Sequence, residues 1–264
     1  SALPSWAETL RYSLVSHSLE GSLVLDEKQH QWHIPLVGIF NTYNTLQALL
    51  AAKMLGLSDA ELSKSLLGLK GAAGRLERVW SDDHKSGMNE SGMNGSGMNG
   101  SGMNGSGMNG SGMNKPAVFV DYAHTPDALE NICSTLSELK QDGQKLTVVF
   151  GAGGDRDASK RPLMASACEP WCDSIIVTTD NPRSEEPESI IVDILKGFKN
   201  GAKAITIVDR KEAISVAISK ASAHDIVVIA GKGHENYQDI QGVKHPFDDR
   251  QIAKECLNQW KEAA

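Results

Sequence analysis

The chain has 264 residues, of which 40% are hydrophobic and 22% are charged, and its formal net charge is −7. This length and composition are typical of a globular protein with one large domain or two modest ones. The negative charge, without any Lys/Arg-rich block, argues against a nucleic-acid partner. The sequence has no run of about 18 apolar residues and no signal-peptide pattern at its start. We therefore expect a cytoplasmic protein with no membrane partner.

The four cysteines are too few for a disulfide framework in a chain of this size. Cys168 and Cys172 lie four residues apart in a predicted helix, but no second pair of ligands accompanies them. The sequence therefore predicts buried or inert thiols and assigns no metal ligand.

The first 80 residues contain short strands and helices. Residues 22–25 and 31–34 are predicted strands around a polar turn. Residues 36–44 are interpreted as a strand entering a helix, with Asn41 and Asn44 in the first turn of that helix. A capping box formed by Ser58 and Glu61 predicts a second helix over about 59–69. A glycine-flanked turn then leads into a further strand at the end of residues 71–79.

Residues 86–114 repeat the pentad Ser-Gly-Met-Asn-Gly six times, with Glu90 in place of one glycine and the last copy cut short. This composition favours flexible coil, and the period is too short for a solenoid repeat. We interpret residues 81–114 as a flexible linker or insertion. A methionine-lined binding surface is the alternative.

From residue 116 onward, apolar runs alternate with helical stretches. This alternation predicts a Rossmann-like, doubly wound α/β fold with a mostly parallel sheet. The predicted strands are residues 117–120, 146–150, 174–177, 204–208 and 226–230, and the predicted helices are residues 126–140, 161–169, 187–198, 210–223 and 249–261.

Each of these strands ends in polar or glycine-rich residues, which should meet at one edge of the sheet, where such folds bind ligands. At the centre is the turn Asp180-Asn181-Pro182-Arg183, where the proline ends the strand. Asp180 suits an ammonium and Arg183 suits a carboxylate, a combination that predicts a free amino acid as ligand. The other strand ends are residues 121–126, 151–156, 209–210 and 231–235.

The glycine-rich turn that begins at Gly151 matches the dinucleotide fingerprint only in part, and a tight turn explains it as well as phosphate contact does. The charges of Asp155, Arg156, Asp157 and Arg161 predict a charged cluster at the same edge. No Walker A motif occurs anywhere in the sequence.

The turn after residues 226–230 contains two glycines that allow close approach to a ligand, and Glu235 could accept an ammonium. His234 is either a proton shuttle or a hydrogen-bonding structural residue. Asp121 could orient a ribose or a metal-bound water, or could cap the helix that starts near Pro126.

Six motifs together resemble the Mur ligase family. They occur in the family's order, cover about residues 35–80 and 115–264, and are most similar to the branch that adds the third residue of the peptidoglycan stem peptide. The turn Asp-Asn-Pro-Arg is that of the members specific for meso-diaminopimelate. The motifs are FNTYN, GRLERV, DYAHTPDAL, GAGGDRDASKRP, TTDNPR and GKGHENYQ.

The resemblance implies a ligase that uses ATP and Mg²⁺ to join meso-diaminopimelate to UDP-MurNAc-L-Ala-D-Glu through an acyl phosphate. By the same resemblance, His234 and Asp121 are the candidate catalytic residues. The implied diaminopimelate site is Arg156, Asp180, Asn181, Pro182, Arg183, Gly231 and Glu235, and the implied ATP site is Asn41, Asn44, Arg75, Asp121 and His124.

The sequence departs from the family because it shows no UDP-binding domain, no P-loop and no magnesium-holding lysine of the central domain. We therefore expect residues 1–80 to be the end of the central ATPase domain and residues 115–264 to be the amino-acid-binding domain. We expect the chain to be inactive alone, with the missing N-terminal half of the ligase as a partner. The alternatives are a folylpolyglutamate-synthetase-like ligase, a non-catalytic binding or assembly module and, as a distant third, a nicotinamide oxidoreductase.

Overall fold

A computed structural model describes residues 12–82, 115–199 and 204–262 of the chain. The chain divides into two compact units, Ser1–Ala72 and Ala73–Ala264. Each unit has its own hydrophobic core. This division lies before the expected boundary at residue 80, because the strand at residues 77–79 pairs within the second unit. The predicted SGMNG repeat lies outside the described residues.

The first unit has a three-stranded antiparallel sheet followed by two helices. Trp32, Leu49 and Leu62 are buried in its core. The two predicted strands are confirmed, but the first strand was not predicted because most of its residues are exposed and its apolar residues do not alternate. The elements are β1 (Tyr12–Ser18), β2 (Gly21–Asp26), β3 (Gln31–Ile34), α1 (Ile39–Met54) and α2 (Asp59–Leu67).

The predicted strand before α1 is wrong. Pro35 cannot donate to a strand ladder, and Gly38 turns the chain at φ 95° directly before the helix. Asn41 lies in the first turn of α1 as predicted, whereas Asn44 lies in the second turn. The capping box of α2 is confirmed: Ser58 N donates to Glu61 Oε2 at 2.8 Å, and Glu61 N donates to Ser58 Oγ at 3.4 Å.

The second unit is built on a six-stranded sheet with the order β4-β5-β9-β6-β7-β8. All neighbouring pairs are parallel except β4 and β5, which are antiparallel. The mostly parallel sheet is therefore confirmed. The strands are β4 (Glu77–Val79), β5 (Ala117–Asp121), β6 (Leu146–Phe150), β7 (Ser174–Val177), β8 (Ala204–Thr206) and β9 (Ile226–Ala230).

Within the described residues, five helices connect and cover this sheet. Thr125, Asp209 and Asp248 cap three of them with side-chain oxygens that accept backbone N–H groups. Each helix ends one to four residues before its predicted end; α5, for example, stops shortly before Gly197. The helices are α3 (Pro126–Glu138), α4 (Lys160–Cys168), α5 (Pro187–Leu195), α6 (Arg210–Ser219) and α7 (Asp249–Gln259).

The central strands β5 and β9 are almost entirely apolar and are covered on both faces of the sheet. Every residue of β5 and of β9 is buried, as expected for parallel strands between helices. Cys168 and Cys172 are buried and unbridged, as the sequence predicts. No helix within the described ranges is long and apolar enough to cross a membrane.

A hairpin that was not predicted follows β9. It consists of β10 (Tyr237–Ile240) and β11 (Val243–Pro246). Its turn residues Gln241 and Gly242 both have positive φ, 52° and 78°, as a type I′ hairpin turn requires. The sequence signal was weak because Gln-Gly is not one of the strong hairpin dipeptides and the strands are largely polar or exposed.

Candidate functional site

The candidate site lies at the carboxyl ends of the parallel strands of the second unit. The turn after β6 and the turn after β7 are joined directly. Gly154 N donates to Asn181 O at 2.9 Å, and Ser184 Oγ donates to Asp155 Oδ1 at 2.6 Å. A Cβ on Gly154 would lie 1.9 Å from Pro182 O, so the close packing of these two turns requires glycine at that position.

Arg183 is held in a left-handed backbone conformation, with φ 52°. The β10–β11 hairpin holds both of its backbone polar groups: Arg183 N donates to Asp239 O at 3.0 Å, and Gln241 N donates to Arg183 O at 2.7 Å. The side chain of Arg183 is held as well, because its Nη1 donates to Gly154 O at 2.5 Å. Non-glycine residues keep such a conformation only where the surroundings fix it. The hairpin therefore sets the position of the Arg183 guanidinium.

Arg156 lies beside Arg183, as the sequence predicts. A Cβ built on Gly153 would be 2.9 Å from Arg183 Nη1 and 3.6 Å from Arg156 Cγ. The two arginine side chains therefore flank the same glycine. Arg156 is exposed and Arg183 is half-buried, an arrangement suited to an anionic group.

Arg161 belongs to the predicted charged cluster but lies on its buried side, where its Nη2 donates to Gly153 O at 3.5 Å. It is only 3% exposed, because the spacing of α4 places it on the same inward face as Met164, Ala165 and Cys168. Its guanidinium pairs with Glu185 at 2.7 Å and Asp193 at 3.0 Å. Arg161 therefore supports the turn after β6 through Glu185, because Glu185 also accepts a hydrogen bond from Asp155 N at 2.6 Å.

Asp180 is buried and already faces a cation of the protein itself. Lys232, which is fully buried, places Nζ 3.1 Å from Asp180 Oδ1 in an ion pair. Burial lowers the pKa of Lys232, against the opposing effect of the Asp180 charge. Lys232 was absent from the predicted site; the signal for it was a lysine between two glycines at the end of a buried strand.

Asn181 connects this ion pair to Glu235. Its Oδ1 accepts hydrogen bonds from Lys232 Nζ at 2.7 Å and from Asp239 N at 3.0 Å, and its Nδ2 donates to Glu235 Oε2 at 3.0 Å. Lysine and a backbone N–H can only donate, and a carboxylate can only accept, so the orientation of the amide is determined. Glu235 keeps 20% of its side chain exposed, whereas Pro182 beside Asn181 is buried.

Gly231 must be glycine for two reasons. Its φ is 120°, and a Cβ there would lie 2.9 Å from Asp180 Oδ2. The structure therefore brings the predicted diaminopimelate residues of the turns after β6, β7 and β9 into one connected group.

A second group lies at the ends of β5 and β9. Asp121 is buried and accepts hydrogen bonds from Leu76 N at 2.6 Å and Ala123 N at 2.7 Å. Burial raises the pKa of this carboxyl, while the two backbone N–H groups oppose the rise. Asp121 does not cap α3, since Thr125 does so. Its two oxygens hold the turn before β4 against the end of β5.

Tyr122 is the centre of an aromatic and cationic cluster that includes three predicted residues. Its ring lies 4.6 Å from the His124 ring and 5.3 Å from the His234 ring, measured between centroids. The Arg75 guanidinium carbon lies 4.8 Å from the Tyr122 ring centre. Arg75, His124 and His234 are exposed. The sequence reasoning did not select Tyr122, although it lies within the DYAHTPDAL motif.

The remaining predicted residues are Asn41 and Asn44, expected at the nucleotide, and residues 209–210, expected at the edge of the sheet. Asn41 and Asn44 lie in the first unit, where Asn41 Nδ2 donates to Val37 O at 2.7 Å and Asn44 is exposed; their role at a nucleotide stays a prediction. Residues 209–210 lie at the predicted edge, but Arg210 is buried there: it pairs with Asp249 at 2.7 Å, and its Nη2 donates to Ala230 O at 2.9 Å. Asp209 caps α6.

The chain is similar to known proteins along most of its length. Residues 108–233 match a family model described as Mur ligase, glutamate ligase domain. A UDP-N-acetylmuramoyl-L-alanyl-D-glutamate–2,6-diaminopimelate ligase of Cytophaga hutchinsonii is 40% identical over 247 residues, which are 93% of this chain and 44% of that protein. The ligase of the same name from Clostridioides difficile is 42% identical over 85% of this chain and 40% of its own length. The chain thus spans less than half the length of these relatives.

The chain is also similar to solved structures. A structure of a ligase of that name has a TM-score of 0.66 and 35% identity, and the match covers 94% of this chain and 45% of that one. A folylpolyglutamate synthase from Thermotoga maritima has a TM-score of 0.56 and 21% identity over 84% of this chain and 43% of its own. The second likeness shows a shared fold only.

Proposed function

Because the chain belongs to the Mur ligase family, we propose that it is the amino-acid-binding part of a ligase that joins meso-diaminopimelate to UDP-MurNAc-L-Ala-D-Glu with consumption of ATP. The observation that carries this proposal is the pairing of Arg156 and Arg183 around Gly153, next to the group formed by Asn181 and Glu235. Relatives that carry the name of this ligase support it. The expected cytoplasmic location remains a prediction.

The two parts of the site suit the two charges of an amino-acid end. Arg156 and Arg183 would bind a carboxylate, since guanidinium groups match its geometry and charge. Glu235 would meet the ammonium, because Asp180 is buried and already paired with Lys232. These contacts would bind the second amino-acid end of diaminopimelate, which lysine lacks, and would thereby distinguish the two.

The proposed reaction requires positioning more than covalent participation by this chain. The glutamate carboxylate of the UDP-linked dipeptide takes the γ-phosphoryl group of ATP to give an acyl phosphate and ADP. The free amine of diaminopimelate then attacks the acyl carbon, the new C–N bond forms, and phosphate leaves with the electrons of the C–O bond while the amine loses a proton. The residues of this chain would hold the amine in line with that carbon. His234, which is exposed beside Tyr122, is the proposed proton acceptor.

The cluster around Tyr122 would bind the nucleotide side of the reaction. Arg75 supplies a cation for phosphate, and the rings of Tyr122 and His124 offer flat faces for contact. Each oxygen of Asp121 accepts one backbone hydrogen bond and keeps a further lone pair with which it would accept a ribose hydroxyl. Among the residues that the structure describes, no group of three or more His, Cys, Asp or Glu residues could hold a metal ion.

A chimera tests the proposed function. The matching part of the Cytophaga hutchinsonii relative would be replaced by this chain, and ligation would be followed by mass spectrometry of the UDP-linked product. The proposal predicts a product that contains diaminopimelate and none that contains lysine or glutamate. Preference for lysine or glutamate would contradict it, and so would an inactive chimera when the unmodified relative is active.

A further inference from the structure

Lys232 is a fully buried lysine whose ammonium joins three segments of the second unit. Nζ donates to Asn181 Oδ1 at 2.7 Å and to Tyr237 O at 2.8 Å, and pairs with Asp180 Oδ1 at 3.1 Å. Two of the three N–H groups of the ammonium donate to the oxygens of Asn181 and Tyr237, and the Asp180 carboxylate balances the charge as an ion pair without a hydrogen bond. The segments that it joins are the turn after β7, the turn after β9 and the β10–β11 hairpin.

The charges around Lys232 favour one additional cation. Asp180 and Glu235 carry two negative charges, and Lys232, which lies 3.8 Å from Glu235 Oε2, supplies one positive charge. The neighbouring Arg210 and Asp249 neutralise each other. These five groups together carry a net charge of minus one, and Glu235 is the more exposed of the two unbalanced carboxylates. A ligand ammonium would balance it.

We propose that Lys232 is a positioning residue of the amino-acid site, an inference that rests on the proposed function. It neutralises the buried Asp180 and holds the Asn181 amide with its nitrogen toward Glu235, so that Glu235 is aimed at the ligand ammonium. It also ties the hairpin that fixes Arg183 to the rest of the site through Tyr237 O. Lys232 itself is fully buried and makes no contact with the ligand.

Calorimetric titration of the full chain with meso-diaminopimelate tests this proposal. Lys232→Met is expected to weaken binding about 10-fold or more, as for loss of a partner to buried polar groups. Lys244→Met is the matched control, because Lys244 lies 4.1 Å from the ring of the same Tyr237 but on the exposed strand β11. The affinity of Lys244→Met for meso-diaminopimelate is expected to stay within about twofold of that of the wild type.

A second pair of variants separates positioning from folding. Lys232→Met leaves Asp180 buried and unpaired and should lower the unfolding temperature, whereas the double variant with Asp180→Asn removes that charge and should regain stability. The double variant is then compared with Asp180→Asn alone at equal stability. Binding that remains about 10-fold weaker in the double variant supports positioning. Equal binding by these two proteins assigns Lys232 to folding only and overturns the proposal.

The conservative variant Lys232→Arg adds a further readout, since it keeps the cation. Binding severalfold tighter than that of Lys232→Met supports the proposal, and equal binding at equal stability contradicts it. If the wild type itself binds no diaminopimelate, the proposed function fails and this inference fails with it. If the wild type binds and Lys232→Met binds equally well, only the inference about Lys232 is overturned.

Discussion

Arg183 combines a left-handed backbone with a guanidinium bonded to Gly154 O. The sequence identified this residue because a charged side chain follows an apolar strand and a proline. It could not reveal what holds the residue in place, because the hairpin that binds its backbone begins more than fifty residues later. Lys232 and Asn181 show the same limit, since their contact joins positions 51 apart in the chain.

Arg183→Ala tests the carboxylate contact. Removal of the guanidinium should weaken binding of meso-diaminopimelate by about 2 kcal/mol, because a ligand carboxylate loses its charged partner. Titration calorimetry gives this value directly. Arg250→Ala serves as the control, since Arg250 pairs with Asp248 on the last helix. Unchanged affinity in Arg183→Ala would remove this arginine from the site.

Gly231→Ala tests the close approach of the turn after β9 to Asp180. The substitution should lower the free energy of unfolding by about 1–2 kcal/mol through the positive φ alone, and by more because its Cβ would meet Asp180 Oδ2. Gly143→Ala is a matched control with φ 85° and no atom within 4 Å of the added Cβ. Denaturant titration of both variants isolates the crowding. Equal losses of unfolding free energy in the two variants would show that the added Cβ does not crowd Asp180.

The first turns of α6 and α7 are joined by the buried pair of Arg210 and Asp249. Arg210 Nε and Nη2 donate to the two oxygens of Asp249 at 2.9 and 2.7 Å, and Nη2 also donates to Ala230 O at 2.9 Å. The sequence placed Arg210 at the ligand edge because a charged residue follows a strand there. Only tertiary packing shows that it faces inward.

Arg210→Met should therefore lower the free energy of unfolding by about 3–5 kcal/mol, since it leaves Asp249 buried without a partner. The double variant with Asp249→Leu should regain much of the lost stability, because two apolar side chains leave no buried charge without a partner. Lys196→Met is the surface control, as its pair with Asp193 is 64% exposed on the lysine side, and it should cost less than about 1 kcal/mol. Chemical denaturation measures all three, and a loss in Arg210→Met no larger than that of the control would contradict this role.

The stability of the protein should depend on pH through Asp248, the N-cap residue of α7. Burial raises the pKa of Asp248, but hydrogen bonds from Arg250 outweigh burial and bring this pKa below its ordinary value of 3.8. A lowered folded-state pKa means that the contribution to stability is present above the unfolded value and is lost as the pH falls through the folded value.

Asp248→Asn keeps a good capping residue but removes this titration. Its free energy of unfolding should therefore fall less than that of the wild type, by about 1 kcal/mol or less, as the pH is lowered from about 5 to 3. Denaturant titration at several pH values gives both curves. Parallel curves for the two proteins would contradict the assigned role of Asp248.

At the scale of the whole molecule, the parallel sheet could be predicted because covered strands are continuously apolar and alternate with helices. The five predicted strands and five predicted helices of the second unit are all present, with shifts at their ends. The position of β9 between β5 and β6 could not be predicted, because the strand order depends on packing between distant segments. Strand β1 and the β10–β11 hairpin were missed because their residues are mostly exposed.

The candidate site, like the fold, could be predicted from the sequence only in part. The residues at strand ends were identifiable because all carboxyl ends of parallel strands meet at one edge. The division into an arginine pair around Gly153, a buried ion pair and an aromatic cluster around Tyr122 depends on side-chain contacts that no local pattern carries.

Calorimetric titration of the chain with meso-diaminopimelate, with L-lysine as the control ligand, tests the central claim most directly. We expect saturable binding of meso-diaminopimelate and none of L-lysine, because the arginine pair requires the carboxylate that lysine lacks at its far end. Equal binding of both amino acids, or binding of neither, would contradict the assignment of this site.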